Sequence, residues 1–234
     1  MLDGQLSAFA AARDSLSKLT TIEPTFAVYD YQLGRVAEYI GAMSAAVDQN
    51  RAAVPVFVES AIVVMAARLE HFPTSLFASA VHQREGAVRE HFRHRGNDEE
   101  RVRAEACDRR ALIQMVRRRI NFKSGGRGIE RMCQVLFGFA PWPDRDVYEL
   151  ICDLVLLRNV FVHEGEAVLA DHATQAYRSG LFTSKSYGEF TVYRVDYGHA
   201  LILLRDATVG LKRQVEYIRA ELFSRPEWTY GASL

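Results

Sequence analysis

The stretch Val56 to His71 is apolar on nearly every side when wound as a helix, and this constrains the fold more than any other feature. A helix of that kind has no face fit for water, so other elements must surround it. The apolar run from Val54 to Leu69 contains Pro55, Glu59 and Arg68, which leaves an uncharged stretch too short to span a bilayer. It reads as the central core helix of a cytosolic protein, with no membrane partner. Pro73 is expected to break it, with Pro73-Thr74-Ser75 opening a more polar helix toward Arg93.

Helical spacing recurs elsewhere. Leu6, Phe9, Ala10, Leu16 and Leu19 mark a first helix. Pro24 suits the opening turn of a second, which runs to about Asn50 on a stripe of Val28, Tyr31, Leu33, Val36, Tyr39, Ile40, Met43 and Val47. Gly96-Asn97-Asp98 is a turn, and Asp98, Glu99 and Glu100 open a helix to about Arg119 with their charges at its positive end. After a glycine loop at 123–128 a short helix covers Ile129 to Phe137. Asp144 caps a helix reaching His163. Tyr187-Gly188-Glu189 sits between β-prone stretches, so a small hairpin is expected within 181–195. A long helix from about Tyr197 to Phe223 follows. The expected fold is therefore mostly all-α: a helical bundle over 54–223, an N-terminal helical extension over 1–53, and a tail over 224–234.

Lysines and arginines total 29, balanced by 29 acids, so there is no global charge signal for nucleic acid or membrane. Cys107, Cys133 and Cys152 are odd in number and widely spaced, which fits buried thiols in a reducing compartment better than disulfides or zinc. The N-terminus lacks the basic and apolar regions of a secretory signal, consistent with a cytoplasmic protein.

The segment from Asp144 to Glu166 carries the chemical argument. On a wheel, Val147, Leu150, Ile151, Leu154, Leu157 and Phe161 form one apolar face, and Arg158 falls inside it. A guanidinium stays charged and is costly to bury alone, so it needs a partner or a solvated cleft. Leu156 and Val160 make the opposite side apolar too, as tight core packing or a second subunit would require. Asn159 and His163, four apart, share a face. Arg158 and His163, five apart, lie about 140° from one another on an ideal helix. The bland reading is an Arg paired with an acid, an Asn bonded locally and a His ending a helix.

Leu157-Arg158-Asn159-Val160-Phe161-Val162-His163-Glu164-Gly165 resembles the hallmark of the HEPN superfamily in its ribonuclease-type members, an Arg-Asn-x-x-x-His at the end of a helix. The preceding Leu154 to Leu157 and the apolar helix ending in Arg68-Leu69-Glu70 are similar to the family's as well. The resemblance covers roughly 54–223 and is best over 147–166. It implies a HEPN-like bundle and RNA as partner. It implies a metal-independent endonuclease, without cofactor, acting as a toxin or antiviral defence effector with an antitoxin or defence partner. Arg158, Asn159 and His163 would be catalytic: imidazole titrates near neutrality and suits proton transfer, and Arg158 would bind the phosphate. The expected products are a 2′,3′-cyclic phosphate and a 5′-OH. The family also implies a homodimer whose two motifs share one cleft. A non-catalytic dimerising adaptor or nucleotide sensor is the alternative.

Other features carry two readings each. Arg109 to Arg131 is rich in basic residues, and Arg117, Arg118, Arg119, Phe122, Lys123 and Arg127 are candidates for RNA binding. The same pattern fits a solvated helix face with arginines paired to acids elsewhere. Gly125-Gly126-Arg127-Gly128 fits a phosphate loop or an ordinary one. His82, His91 and His94 lie near Glu85 and Glu90, but no HExxH string exists and no metal site is expected. Glu59 and Glu70 sit on the central apolar helix and suit structural pairing with Arg158 or a basic neighbour, with Glu59 also a candidate to line the active cleft.

Overall fold

Helix α2 (Val54–Arg95) is the axis of the molecule, 42 residues long and entered through a 3-10 turn at Arg51–Ala53. The computed structural model describes residues 22, 25–45, 51–119, 127–163, 167–168, 170–187 and 189–225. The helix expected over 6–20 lies outside them.

Contrary to the expectation, Pro73 does not end the helix. Its missing N–H leaves the Leu69 carbonyl without its usual donor, and an interior proline costs about 3 kcal/mol. Leu69, Phe72, Leu76 and Phe77 are all buried around it. Each contributes about 1.5–3 kcal/mol, so packing outweighs the break. The irregularity comes instead at Arg84, whose φ of −122° and ψ of 30° kink the helix.

The single helix expected from Asp98 to Arg119 is two helices, α3 (Asp98–Ala106) and α4 (Arg109–Arg119). Asn97 and Glu100 form a reciprocal capping box at the start of α3. Cys107 is extended, and the Asp108 carboxylate accepts the Ala111 N–H at 2.8 Å to start α4. Arg89 on α2 holds the break. Its guanidinium donates to the carbonyls of Ala104 and Cys107, filling the Ala104 acceptor that a continuing helix would have used.

Helix α5 (Arg127–Phe137) ends at Gly138, whose φ of 77° lets its N–H donate back to Cys133 and Gln134. Helix α6 (Arg145–His163) is capped as expected, the Asp144 carboxylate accepting the Val147 N–H at 2.9 Å. Beyond a short turn of helix, α7 (Ala170–Ala173), the last long helix α8 (Tyr197–Phe223) runs antiparallel to α6. Arg213 of α8 pairs with Asp144 before α6, and Phe161 near the end of α6 stacks on Tyr197 at the start of α8. Between them Gly210 lets Leu150 close in, since a Cβ there would stand 2.2 Å from the leucine.

Residues 25–45 form helix α1. Its core stripe is Phe26, Tyr29, Leu33, Val36 and Ile40, continuing the line of Ile22. The stripe expected from spacing differs in part: Val28 is 51% exposed, Tyr31 70% and Tyr39 42%. The two buried rings decide the rotation of the helix. Tyr29 stacks on Phe72 at 4.2 Å, and Phe26 meets both Phe72 and Phe223. Ile22 and this stripe belong to the same buried cluster as α2, α6 and α8, so the chain on either side of residue 53 shares one core.

The expected hairpin is present as β2 (Phe182–Tyr187) and β3 (Phe190–Val195), with Phe182 opposite Val195 and Tyr187 opposite Phe190. A further strand, β1 (Ala167–Val168), pairs antiparallel with the other edge of β3, giving the order β1-β3-β2. Two residues are too short for a sequence pattern to reveal. Among the described residues no helix is long and apolar enough to cross a membrane.

Candidate functional site at the end of helix α6

Helix α6 is buried on most of its circumference within this one chain: Val147, Leu150, Ile151 and Cys152 through Leu157 are covered, as is Val160. The two-sided apolar pattern is therefore satisfied by intramolecular packing and does not by itself require a second subunit. Beyond the exposed first turn at Arg145 and Asp146, exposure returns only in the last turn. Arg158 and Asn159 are half-buried, Val162 is 47% exposed, and His163 is exposed as the final residue of the helix.

One Arg158 Nη1 donor reaches Asn159 Oδ1 at 2.9 Å. Among the described residues no carboxylate pairs with Arg158. Asn159 is thus bonded locally, its amide oxygen accepting from the neighbouring guanidinium. Its amide nitrogen keeps two donors. Arg158 and His163 are separated by about 7.5 Å of helical rise and about 140° of rotation. Residues 164–166 lie outside the described residues.

This end of the helix is firmly placed. Phe161 stacks on Tyr197 with ring centroids 6.2 Å apart and an interplanar angle of 8°. The Tyr197 hydroxyl donates to Glu59 Oε1 at 2.6 Å. Of the partners open to it, Arg158 or a basic neighbour, Glu59 is bonded to neither among the described residues, and it instead accepts from a tyrosine at the start of α8, a structural role. The last turn of α6 sits where the beginnings of α2 and α8 meet.

Asp153, fully buried in the middle of α6, is a residue that sequence reasoning missed. Its carboxylate accepts the backbone N–H groups of Tyr177 and Arg178 at 2.8 and 2.9 Å, pinning the segment that leads into the sheet. Burial nevertheless holds its carboxyl above the ordinary range. A signal does exist: Asp153 is the sole charge between Leu150 and Leu157. One turn earlier, the Tyr148 ring meets that of Tyr177 edge-on, with centroids 6.1 Å apart. Burial pushes the Cys152 thiol up to about 11, which keeps it protonated and suits packing rather than nucleophilic attack.

The basic segment lies elsewhere. Arg109 pairs with Glu85 at 2.8 Å, and Arg119 with Glu100, while Arg117 and Arg118 are exposed. Buried in part, His91 is held below the ordinary imidazole range by desolvation and then by Arg119, Arg131 and Arg95. Glu59 and Glu85 are about 39 Å apart along α2 at 1.5 Å per residue. Arg117, Arg118 and Arg119 therefore cluster at one end of α2 and the Arg158–His163 turn at the other. Arg127 differs, lying close enough to Cys152 to favour its thiolate. Phe122, Lys123 and most of the glycine loop fall outside the described residues. His94 Nε2 lies 2.6 Å from Glu90 Oε1, and no group of three metal-ligating side chains converges among the described residues.

No protein-family model matches the chain, and no curated protein or solved structure matches it either.

Proposed function

We propose that this protein is an endoribonuclease of the HEPN type, acting in the cytoplasm as a toxin or antiviral effector, with its chemistry at Arg158, Asn159 and His163. The observation that carries the reading is the state of Arg158. A half-buried guanidinium in the last turn of a buried helix, oriented by Asn159 and unpaired with any described carboxylate, is poised for an external anion. The exposed His163 ends the same helix.

The chemistry follows from those groups. The ribose 2′-OH attacks the adjacent phosphorus while His163 takes its proton. A 2′-O–P bond forms and the P–O5′ bond breaks, giving a 2′,3′-cyclic phosphate and a 5′-OH after the leaving oxygen is protonated. Arg158 holds the non-bridging oxygens as charge builds on them. Attack and departure each need a proton donor or acceptor, and this turn offers one imidazole. A homodimer placing two such turns on one phosphate supplies the second, which is why it is the preferred assembly.

One observation favours a second reading as a non-catalytic RNA-binding or dimerising module: Arg158 and His163 share no hydrogen bond in a single chain. An assay on single-stranded RNA in EDTA separates the two. The wild type cleaves to a cyclic phosphate, and Arg158→Ala and His163→Ala each lower the rate by about 10²-fold or more. Cleavage that survives both substitutions rejects the site. Intact folded protein that never cleaves supports the second reading.

A further inference from the structure

We propose that the outer face of the three-stranded sheet binds single-stranded RNA and delivers it to the end of α6, an inference that rests on the ribonuclease reading above. Side chains alternate across a strand, so the faces can be read from what the sheet buries. Phe182, Tyr193 and Val195 pack on the core. Thr183, Lys185 and Tyr187, with the cross-strand residues Arg194 and Val192, therefore point the other way. All of these are exposed except Val192, which is half-buried.

The chemistry of this face suits a phosphate chain with unstacked bases. Lys185 and Arg194 are its charges, and among the described residues neither pairs with an acid. The hairpin's one carboxylate, Glu189, sits in the turn at the far tip. Lys185 Nζ lies 5.3 Å from the Tyr187 ring centroid, so a cation and an aromatic face stand side by side. A base stacked on Tyr187 would place its phosphate beside Lys185. Such stacking requires bases free of a duplex, which selects single strands.

The position of the sheet argues for the same occupant. Arg194 is paired with Ala167, four residues beyond His163. Four residues of chain span at most about 14 Å, and a paired strand adds about 5 Å. Arg194 is thus tethered within about 20 Å of the histidine, and Lys185 and Tyr187 follow one strand further out toward the hairpin tip. The α4 arginines, at the far end of α2, have no such link. Asp153 also fixes the approach, because its two backbone hydrogen bonds hold residues 177–178 just before β2.

The test uses full-length His163→Ala protein, which binds RNA without cutting it, and a fluorescein-labelled single-stranded RNA of about 12 nucleotides, a length suited to one such surface. Adding Lys185→Glu and Arg194→Glu should weaken binding on the order of tenfold or more and lower the salt dependence by about two phosphate contacts. Tyr187→Ala should weaken it at least about fivefold, whereas Tyr187→Phe, which keeps the ring, should change it little. Thermal unfolding should be unchanged in all of them, since the residues are exposed. Hairpin variants that bind as the parent does, or a parent that prefers duplex RNA of equal length, would overturn the inference. Wild-type cleavage in the same preparation distinguishes failure of the binding face from failure of the nuclease: an enzyme that cuts RNA with an unimportant hairpin loses only this proposal. A parent that binds no single-stranded RNA overturns it as well, and the cleavage assay then judges the ribonuclease reading alone.

Discussion

Arginine is used in opposite ways toward the two ends of α2. Near its C-terminal end Arg89 lies against Glu85 at 2.6 Å and donates to two carbonyls, Arg109 shares the same glutamate, and Arg119 pairs with Glu100. Those guanidiniums join α2, α3 and α4. At the other end Arg158 is as sheltered from water as many of them, yet its described hydrogen bond goes to a neutral amide. A paired arginine has its charge answered and adds to stability. One left with an amide keeps most of its donors for something that arrives. Position in a basic run is thus a poorer guide to function than the presence of a counter-charge.

Asp153 offers the sharpest way to break that contrast, because it lies within the same helix as Arg158. Its carboxylate is committed to two backbone donors, so removing it leaves both N–H groups without their acceptor and an empty buried site in α6. Asp153→Ala should cost about 2–4 kcal/mol in denaturant unfolding. Asp153→Asn, which keeps one acceptor, should cost less. A loss below about 1 kcal/mol for the alanine variant would show that the carboxylate does not anchor the sheet.

Acid should separate the two regions by a smaller margin. Glu85 is held below the ordinary carboxylate range by Arg109 and Arg89, and Arg119 with the Asn97 N–H does the same for Glu100 against its burial. A depressed folded value means stability that is present above the unfolded value of about 4.5 and is lost as pH falls through the folded one. Asp153 has the opposite sign. Its raised value means a contribution fully present below the unfolded value of 3.8 and lost as pH rises through the folded one. Hydrogen exchange on moving from pH 7 to pH 4 should therefore show α3 and α4 losing protection before the middle of α6. Uniform loss, or loss in α6 first, would contradict the assignment of those ion pairs.

How much of this was legible in the sequence depends on distance along the chain. The all-round apolar stretch from Val56 correctly named the central helix, and Asp144, Asn97 and the hairpin turn were local signals with local consequences. Errors came where a remote side chain decided the outcome. Pro73 is a helix breaker until Phe72, Leu76 and Phe77 are packed round it. No local pattern could say that Arg89 would reach the Ala104 carbonyl where α3 ends. The rotation of α1 depended on Phe72 and Phe223, far away in sequence. At the candidate site, Arg158 stood out because a charge interrupts an apolar face. Asp153 interrupts the same apolar run on another side of the helix, but only the packed chain revealed the backbone groups it serves.

The central claim is that an arginine's counter-charge separates the structural residues from the chemical one. It is tested most directly by carrying Arg158→Ala and Arg89→Ala through the same two assays, RNA cleavage in EDTA and denaturant unfolding. Arg158→Ala should lose about 10²-fold or more in cleavage while staying within about 0.5 kcal/mol of the wild type. Arg89→Ala should lose about 1–3 kcal/mol of stability and, at a temperature where it is folded, cleave as the wild type does. The account fails if Arg158→Ala unfolds easily but, when folded, cleaves RNA at the wild-type rate.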